Sequence, residues 1–240
     1  MLDFGYYNMD CMEGMKGFPD DYFDLAIVDP PYGDGLHAEG GGGKGWFTKY
    51  NQKVQRENEF NRFGGRFDKY KSENEDGDKV IEWDIAPPKE YFDELFRISK
   101  NQIIWGGNYF ELPPTRCFLI WRKLTISEQF SMAMAEYAWT SFSTNAKVFE
   151  KAPQDKSRFH PTQKPVALYK WILANYANDG DLILDTHVGS ASSLIACEEM
   201  GFKYVGFEID ENYYKQGKER LEQCKAQVSI IDLMSDWRLP

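Results

Sequence analysis

The sequence predicts an α/β protein built around a parallel sheet, and three observations carry that expectation. Leu25-Ala26-Ile27-Val28 is a short apolar run closed by a turn, as a central strand buried on both faces reads. In the C-terminal third, strand and helix alternate: Leu182–Leu184, Ala191–Met200 closed by Gly201, Tyr204–Phe207 and the amphipathic Glu211–Ala226. That alternation feeds a parallel sheet. Each of these three strands also runs into an acid, Asp29, Asp185 and Glu208, and the carboxyl ends of strands are where open α/β sheets bind ligands.

Taken in order, Tyr6–Asp10 reads as a short strand and Met12–Lys16 as a helical turn before the loop Phe18–Asp21. The Leu25–Val28 strand must stop before Pro30 and Pro31, because proline cannot donate to a ladder. Residues 33–87 form a long, Gly-rich and charged excursion, of a length that in compact domains is functional or disordered. Pro88–Ser99 has helical spacing through Tyr91, Leu95 and Ile98, and Gln102–Trp105, Phe118–Trp121 and Glu136–Phe142 read as strands. Pro165 opens the helix Val166–Tyr176, which Asn178-Asp179-Gly180 stops. With no internal repeat and no linker, the expectation is a single domain over 1–240 that carries 33–87 as an insertion.

The chain has 240 residues and a formal net charge of −10. Cys11, Cys117, Cys197 and Cys224 show neither CxxC nor zinc spacing, which fits a reducing, cytoplasmic setting. MLDFGYYNMD has no basic region followed by an apolar one, and no apolar run approaches the ~20 residues of a membrane span, so no membrane partner is expected. The negative balance argues against a general nucleic-acid coat protein. Within the excursion, however, Lys44, Lys49, Arg62 and Arg66 are interleaved with Trp46, Phe47, Tyr50, Phe60, Phe63 and Phe67. Basic residues among aromatics suit a surface that contacts nucleic acid; a solvated loop packed on the body is the other reading. His37, His160 and His187 form no ligand pattern, so no metal is expected. Gly40–Gly45 is not a phosphate loop, because Ala38 and Gly45 stand where the first Gly and the Ser/Thr would be needed.

Two constellations carry chemistry. In FDLAIVDPPY, Asp29 and Tyr32 stand on a loop stiffened by Pro30 and Pro31 at the end of a strand. In the C-terminal third, a turn with Gly189 and Ser190 follows Asp185, and Glu208 lies about twenty residues on. That spacing grips the ribose of a nucleoside in α/β units. THVGSASS offers few glycines for a pyrophosphate, so a nucleoside without phosphates fits better than a dinucleotide.

Together these residues resemble the DNA amino-methyltransferases, the S-adenosylmethionine-dependent enzymes that methylate exocyclic amines, over almost the whole chain. Asp10-Cys11 followed by FDLAIVDPPY is similar to the opening of the permuted β-class group, in which DPPY precedes the cofactor motif. Ile104–Phe110 and Ala135–Phe142 resemble its middle strands, HPTQKP (160–165) its cofactor-side entry, and GFEIDENYY (206–214) its ribose strand. The resemblance implies a Rossmann-like methyltransferase fold: a mixed, mostly parallel sheet with helices on both faces, in circularly permuted motif order. Two positions depart from the family's DPFxGSGTT loop. His187 stands where an aromatic ring flanks the cofactor, and Ala191 replaces a glycine.

By that resemblance Glu208 holds the ribose of S-adenosylmethionine, Asp10 and Cys11 its adenine edge, and Asp185 its amino group. Thr162 and Lys164 serve its carboxylate, with His187, Gly189 and Ser190 completing the cofactor loop. The implied substrate is double-stranded DNA with one base flipped out. The Asp29 carboxylate and the Pro30 carbonyl accept from its amine, and Tyr32 stacks on the ring. DPPY is the form associated with N6 of adenine; N4 of cytosine and a catalytically weak DNA-binding relative are the alternatives. A homodimer and a partner endonuclease, hence a restriction–modification or an orphan role, stay open at this point.

Overall fold

The computed structural model describes residues 1–32, 72–73, 79–80, 85–129, 133–153, 158–160 and 162–236, with 228–236 as helical backbone only. Two compact units emerge, Met1–Pro30 together with Lys89–Pro240, and Pro31–Pro88. The first holds an eight-stranded sheet of β1 (Gly5–Asn8), β2 (Phe23–Val28), β5 (Ser99–Trp105), β6 (Phe118–Arg122), β7 (Ala135–Thr140), β8 (Lys147–Glu150), β9 (Leu182–Asp185) and β10 (Lys203–Glu208). Two short strands, β3 (Ser72–Glu73) and β4 (Lys79–Val80), pair antiparallel within the second unit. Most of the excursion from 33 to 87, with Lys44, Lys49, Arg62 and Arg66, lies outside the described residues.

The large sheet runs β1-β10-β9-β2-β5-β7-β6-β8. Its first five strands are parallel to one another, β7 is antiparallel to both β5 and β6, and β8 is parallel to β6. The β2 run is continuously apolar because both of its faces are covered. Leu25 and Ile27 enter one core and Ala26 and Val28 the other, with the period of two that a strand imposes, while Phe23 at the strand's start joins the second core. On the first face lie α3 (Val166–Tyr176), α4 (Ser192–Met200) and α5 (Glu211–Asp236), through Leu168, Ile172, Leu194 and Leu221. On the second lie α1 (Cys11–Met15) and α2 (Lys89–Ile98), through Met15, Phe92, Leu95 and Ile98. Each such aliphatic or phenyl side chain contributes about 1.5–3 kcal/mol by leaving water, so the sheet's central strands are a rigid platform for the loops at their carboxyl ends.

The differences from the expected elements have local causes. β5 begins at Ser99, directly after α2, because Ser99 donates its hydroxyl to the Leu95 carbonyl at 2.6 Å and pairs with Phe23. Ala191 is not helical: it precedes α4 in the left-handed region, at φ 60° and ψ 20°. Pro165 sits just outside α3 at φ −67°, ψ 140°, and α5 runs ten residues past Ala226. No sequence expectation covered β8, an edge strand whose residues alternate between half-buried and exposed. Among the described residues no helix is long and apolar enough to cross a membrane.

Candidate active site

Four carboxylates stand at the carboxyl ends of four adjacent parallel strands. Across the sheet they are Asp10 just after β1, Glu208 ending β10, Asp185 ending β9 and Asp29 just after β2. Strands lie about 4.8 Å apart, so the row spans roughly three such spacings. An edge this acidic disfavours anions and suits a cationic ligand.

Each acid is held differently. Asp10 caps α1, its Oδ1 accepting from the N–H of Met12 at 2.8 Å and of Glu13 at 3.2 Å. Cys11 follows as the first helical residue, and burial, with Asp10 beside it, pushes its thiol up to about 12, so it is a neutral group. Glu208 is buried and accepts one backbone N–H on each oxygen, Gly189 at 2.8 Å on Oε2 and Asp210 at 2.9 Å on Oε1. Burial raises its carboxyl above the ordinary range in spite of those donors. A carboxylate offers about four lone-pair sites, which leaves capacity for two vicinal hydroxyls.

Asp185 is the most deeply buried acid of the row. Its Oδ1 accepts from the His187 N–H at 3.0 Å, and its Oδ2 takes a short bond from the Ser193 hydroxyl. Burial pushes it up to about 7, against those two donors and with help from Asp29 and Glu208. A bound cation would favour its ionised form. The turn after it depends on Gly189, at φ 53°, where an added Cβ would meet the His160 ring at 3.3 Å. This narrow cradle of backbone N–H and carboxylate fits a cationic nucleoside better than a polyphosphate. Ser190 supplies a hydroxyl bonded to Ser192 at 3.1 Å and a carbonyl that accepts from Arg220 at 2.8 Å.

Both histidines of the region are neutral. Burial, then Arg158 and Lys164, depress His160 to about 3; its ring packs on Tyr213 at 4.3 Å and its Nδ1 meets the Thr162 hydroxyl at 3.2 Å. Burial holds His187 down at about 4, its ring edge-on to Tyr91 at 5.3 Å. Thr186 joins them through its hydroxyl, 2.6 Å from the Tyr91 oxygen and 2.9 Å from His187 Nδ1. His187 is therefore a neutral ring packed edge-on against Tyr91. No group of three His, Cys, Asp or Glu among the described residues could hold a metal ion.

Lys164 is where the structure adds most. Its amine, 3% exposed as a residue, makes a short ion pair with Asp29 Oδ2 and a second, at 3.1 Å, with Glu136 Oε2. The resemblance assigned Lys164 to the cofactor; its observed partners tie the loop before α3 to the residue that ends the β2 run. Burial would lower this amine, but Asp29 and Glu136 outweigh it and hold it above its ordinary value. Glu136, Ser193, Thr186 and Tyr91 were not singled out from the sequence. Only Glu136 left a trace there, as an acid inside the otherwise uncharged AEYAWT run. Pro31 and Tyr32, both half-buried, open the second unit, and Pro161 lies outside the described residues.

A model of the DNA methylase family matches residues 67–219. The DNA adenine methyltransferase YhdJ of Escherichia coli (strain K12) is 41% identical over 68 residues, 28% of this chain and 23% of that one. The type II methyltransferase M2.MboI of Moraxella bovis is 24% identical over 252 residues, 92% of this chain and 88% of its own. Among solved structures, the M1.HpyAVI–SAM complex shares the fold with a TM-score of 0.52 at 18% identity, over 90% of this chain and 98% of that one.

Proposed function

We propose, from the premise that this chain belongs to the DNA methylase family, that it methylates the exocyclic N6 amine of adenine in DNA on a base flipped from the duplex. The methyl donor is S-adenosylmethionine, which when bound supplies an electrophilic methyl group on a sulfonium centre. The observation that carries the reading is Asp29: a carboxylate delivered by a central strand, beside the strand that ends on Asp185, and held by a buried lysine. The relative YhdJ, a DNA adenine methyltransferase by name, supports the choice of base.

The amine of adenine is a poor nucleophile because its lone pair is delocalised into the ring. Asp29 and the Pro30 carbonyl accept from its two N–H bonds, which favours a pyramidal nitrogen and turns the lone pair toward the methyl group. With the sulfonium donor bound, the nitrogen pair would form the new N–C bond as the methyl–sulfur bond breaks and leaves a neutral thioether, and the proton shed by the nitrogen would pass by way of Asp29 to water. Proline at 30 and 31 limits the loop's freedom, so the acceptors are placed before the substrate arrives. Tyr32 follows directly in the chain and stacks on the base; stacking is worth ~1–3 kcal/mol, of the order of the cost of extrusion. On the cofactor side Glu208 takes the ribose hydroxyls, Asp185 the ammonium, and Asp10 with the Cys11 backbone the adenine edge. The acidic row also stabilises a cation that a basic pocket would repel.

The test is Asp29→Ala. Losing one preorganised polar contact in an active site typically costs ~10²–10³ in rate, so methyl transfer should fall at least about 100-fold while S-adenosylmethionine still binds. Mass spectrometry of nucleosides from DNA modified by the parent protein should show N6-methyladenine. N4-methylcytosine would overturn the base and keep the mechanism, whereas full activity of Asp29→Ala would overturn the mechanism.

A further inference from the structure

Lys164 does not end a simple ion pair. From Asp29, charges alternate through four segments: the Asp29 carboxylate after β2, the Lys164 amine before α3, Glu136 on β7, and Lys123 just past β6. Glu136 gives Oε2 to Lys164 at 3.1 Å and Oε1 to Lys123 at 2.5 Å. Both lysines are buried, and each amine lies 5.2 Å from the centroid of a tryptophan ring, Trp105 for Lys164 and Trp121 for Lys123. β7 places Glu136 there by pairing it with Trp121 across the ladder. The Lys123 N–H closes the same hairpin on the Met134 carbonyl at 2.8 Å.

We infer that Glu136 is a positioning residue for the reacting carboxylate: it anchors and shares the Lys164 ammonium, so that Lys164 orients Asp29 without monopolising it. The inference rests on the reading of Asp29 as the acceptor of the amine. An ammonium with one carboxylate partner in a low-dielectric site directs its whole pull onto that partner. A second carboxylate divides the pull and keeps the amine in place when Asp29 turns toward a substrate. Glu136 would itself be costly to bury with a single partner, and Lys123 completes a line of two cations and two anions.

The charged state of the line is set by the groups that face Lys164. Asp29 lies on it from β2 and Glu136 from β7, with Lys123 behind Glu136; His160 comes from its own loop, and Tyr169 on α3 lies near the two carboxylates. His160 is neutral, and burial raises the Tyr169 hydroxyl so that it too is neutral. The two carboxylates therefore decide whether Lys164 keeps its proton. Burial would raise Glu136, but Lys164 and then Lys123 hold it below the usual carboxylate range.

The experiment compares parent, Glu136→Gln, Glu136→Asp and Glu136→Gln/Lys123→Met with S-adenosylmethionine and a DNA duplex methylated by the parent. Glu136→Gln should lower kcat by roughly 10- to 100-fold, as displaced catalytic groups do, with KM for DNA and Kd for the cofactor within about threefold. Its activity should also be lost at lower pH on the alkaline side, because Lys164 then has one carboxylate in place of two. Glu136→Asp, which keeps the charge, should recover the alkaline limb. The double variant removes the amine stranded by the substitution; it should fold where the single variant is poor and still show the shifted limb. An alkaline limb that stays in place in a folded variant, or an unchanged kcat, overturns the role of Glu136. Asp29→Ala run alongside separates the two ideas. If it is inactive while Glu136→Gln behaves like the parent, only the positioning role fails; if it is active, the reading of Asp29 fails first.

Discussion

Replacing Asp185 by asparagine should stabilise the unliganded protein, and the gain should grow with pH. The side chain is 2% exposed and its carboxyl sits near 7, chiefly because burial disfavours its charge; an unfolded aspartate titrates near 3.9. Three pH units at 1.36 kcal/mol each amount to about 4 kcal/mol. Below about pH 4 the carboxyl is protonated in both states and contributes no difference. Between about pH 4 and 7 the unfolded chain releases the proton that the native protein keeps, so stability declines by about 1.4 kcal/mol per unit. Above 7 the loss is complete. Asparagine does not titrate, so its advantage over aspartate should increase by about 3 kcal/mol between about pH 5 and pH 8. In a chain of this size 1 kcal/mol moves Tm by roughly 2–4 °C, so the Tm difference should widen by roughly 6–12 °C. Altered hydrogen bonds to Ser193 and the His187 N–H set the offset of that difference and leave its slope alone. Thermal melts of both proteins without cofactor, across that range, make the measurement; a Tm difference that stays flat with pH refutes the reasoning. The same substitution should weaken S-adenosylmethionine binding. In the parent, affinity should rise as pH passes upward through about 7, because a bound ammonium favours the ionised carboxylate, and the variant should lack that rise.

Glu208→Gln should lower cofactor affinity by roughly 10- to 100-fold, the value of one or two hydrogen bonds to a charged group. It should also cost about 1–3 kcal/mol of stability, because either the Gly189 or the Asp210 N–H loses its acceptor. Calorimetry showing parental affinity in a folded variant would remove Glu208 from the ribose. Charge reversal at Lys49, Arg62 and Arg66 together should weaken DNA binding and flatten its dependence on log salt by roughly 0.9 for each phosphate left unneutralised. Titrations with the parental slope would move the DNA surface elsewhere.

Three of the four acids of the site were legible in the sequence because each follows an apolar run of strand length. Leu25–Val28, Leu182–Leu184 and Tyr204–Phe207 announce Asp29, Asp185 and Glu208 by adjacency alone, and the parallel sheet then aligns their carboxyl ends. Asp10 differs in that its role as the cap of α1 is set by the next three residues. Local chemistry of this kind is written within a few positions of the residue it concerns.

What only the tertiary structure decided are the partners that lie far off in the chain. Asp29 and Lys164 are 135 positions apart, and Lys164 in HPTQKP has no local feature that selects a carboxylate over a cofactor. Glu136 reads as one polar residue in a strand until the β6–β7 register sets it between two buried amines. β8 escaped notice because an edge strand needs only one neighbour and one covered face, so its short KVFE pattern carries little signal. Ala191 illustrates the reverse case: alanine is the best helix former, yet the turn that delivers Gly189 to Glu208 holds it at positive φ. Periodicity and strand-end chemistry follow from the backbone and can be read along the chain. Ion pairing in a dry interior depends on which strands become neighbours, and only the folded sheet determines that.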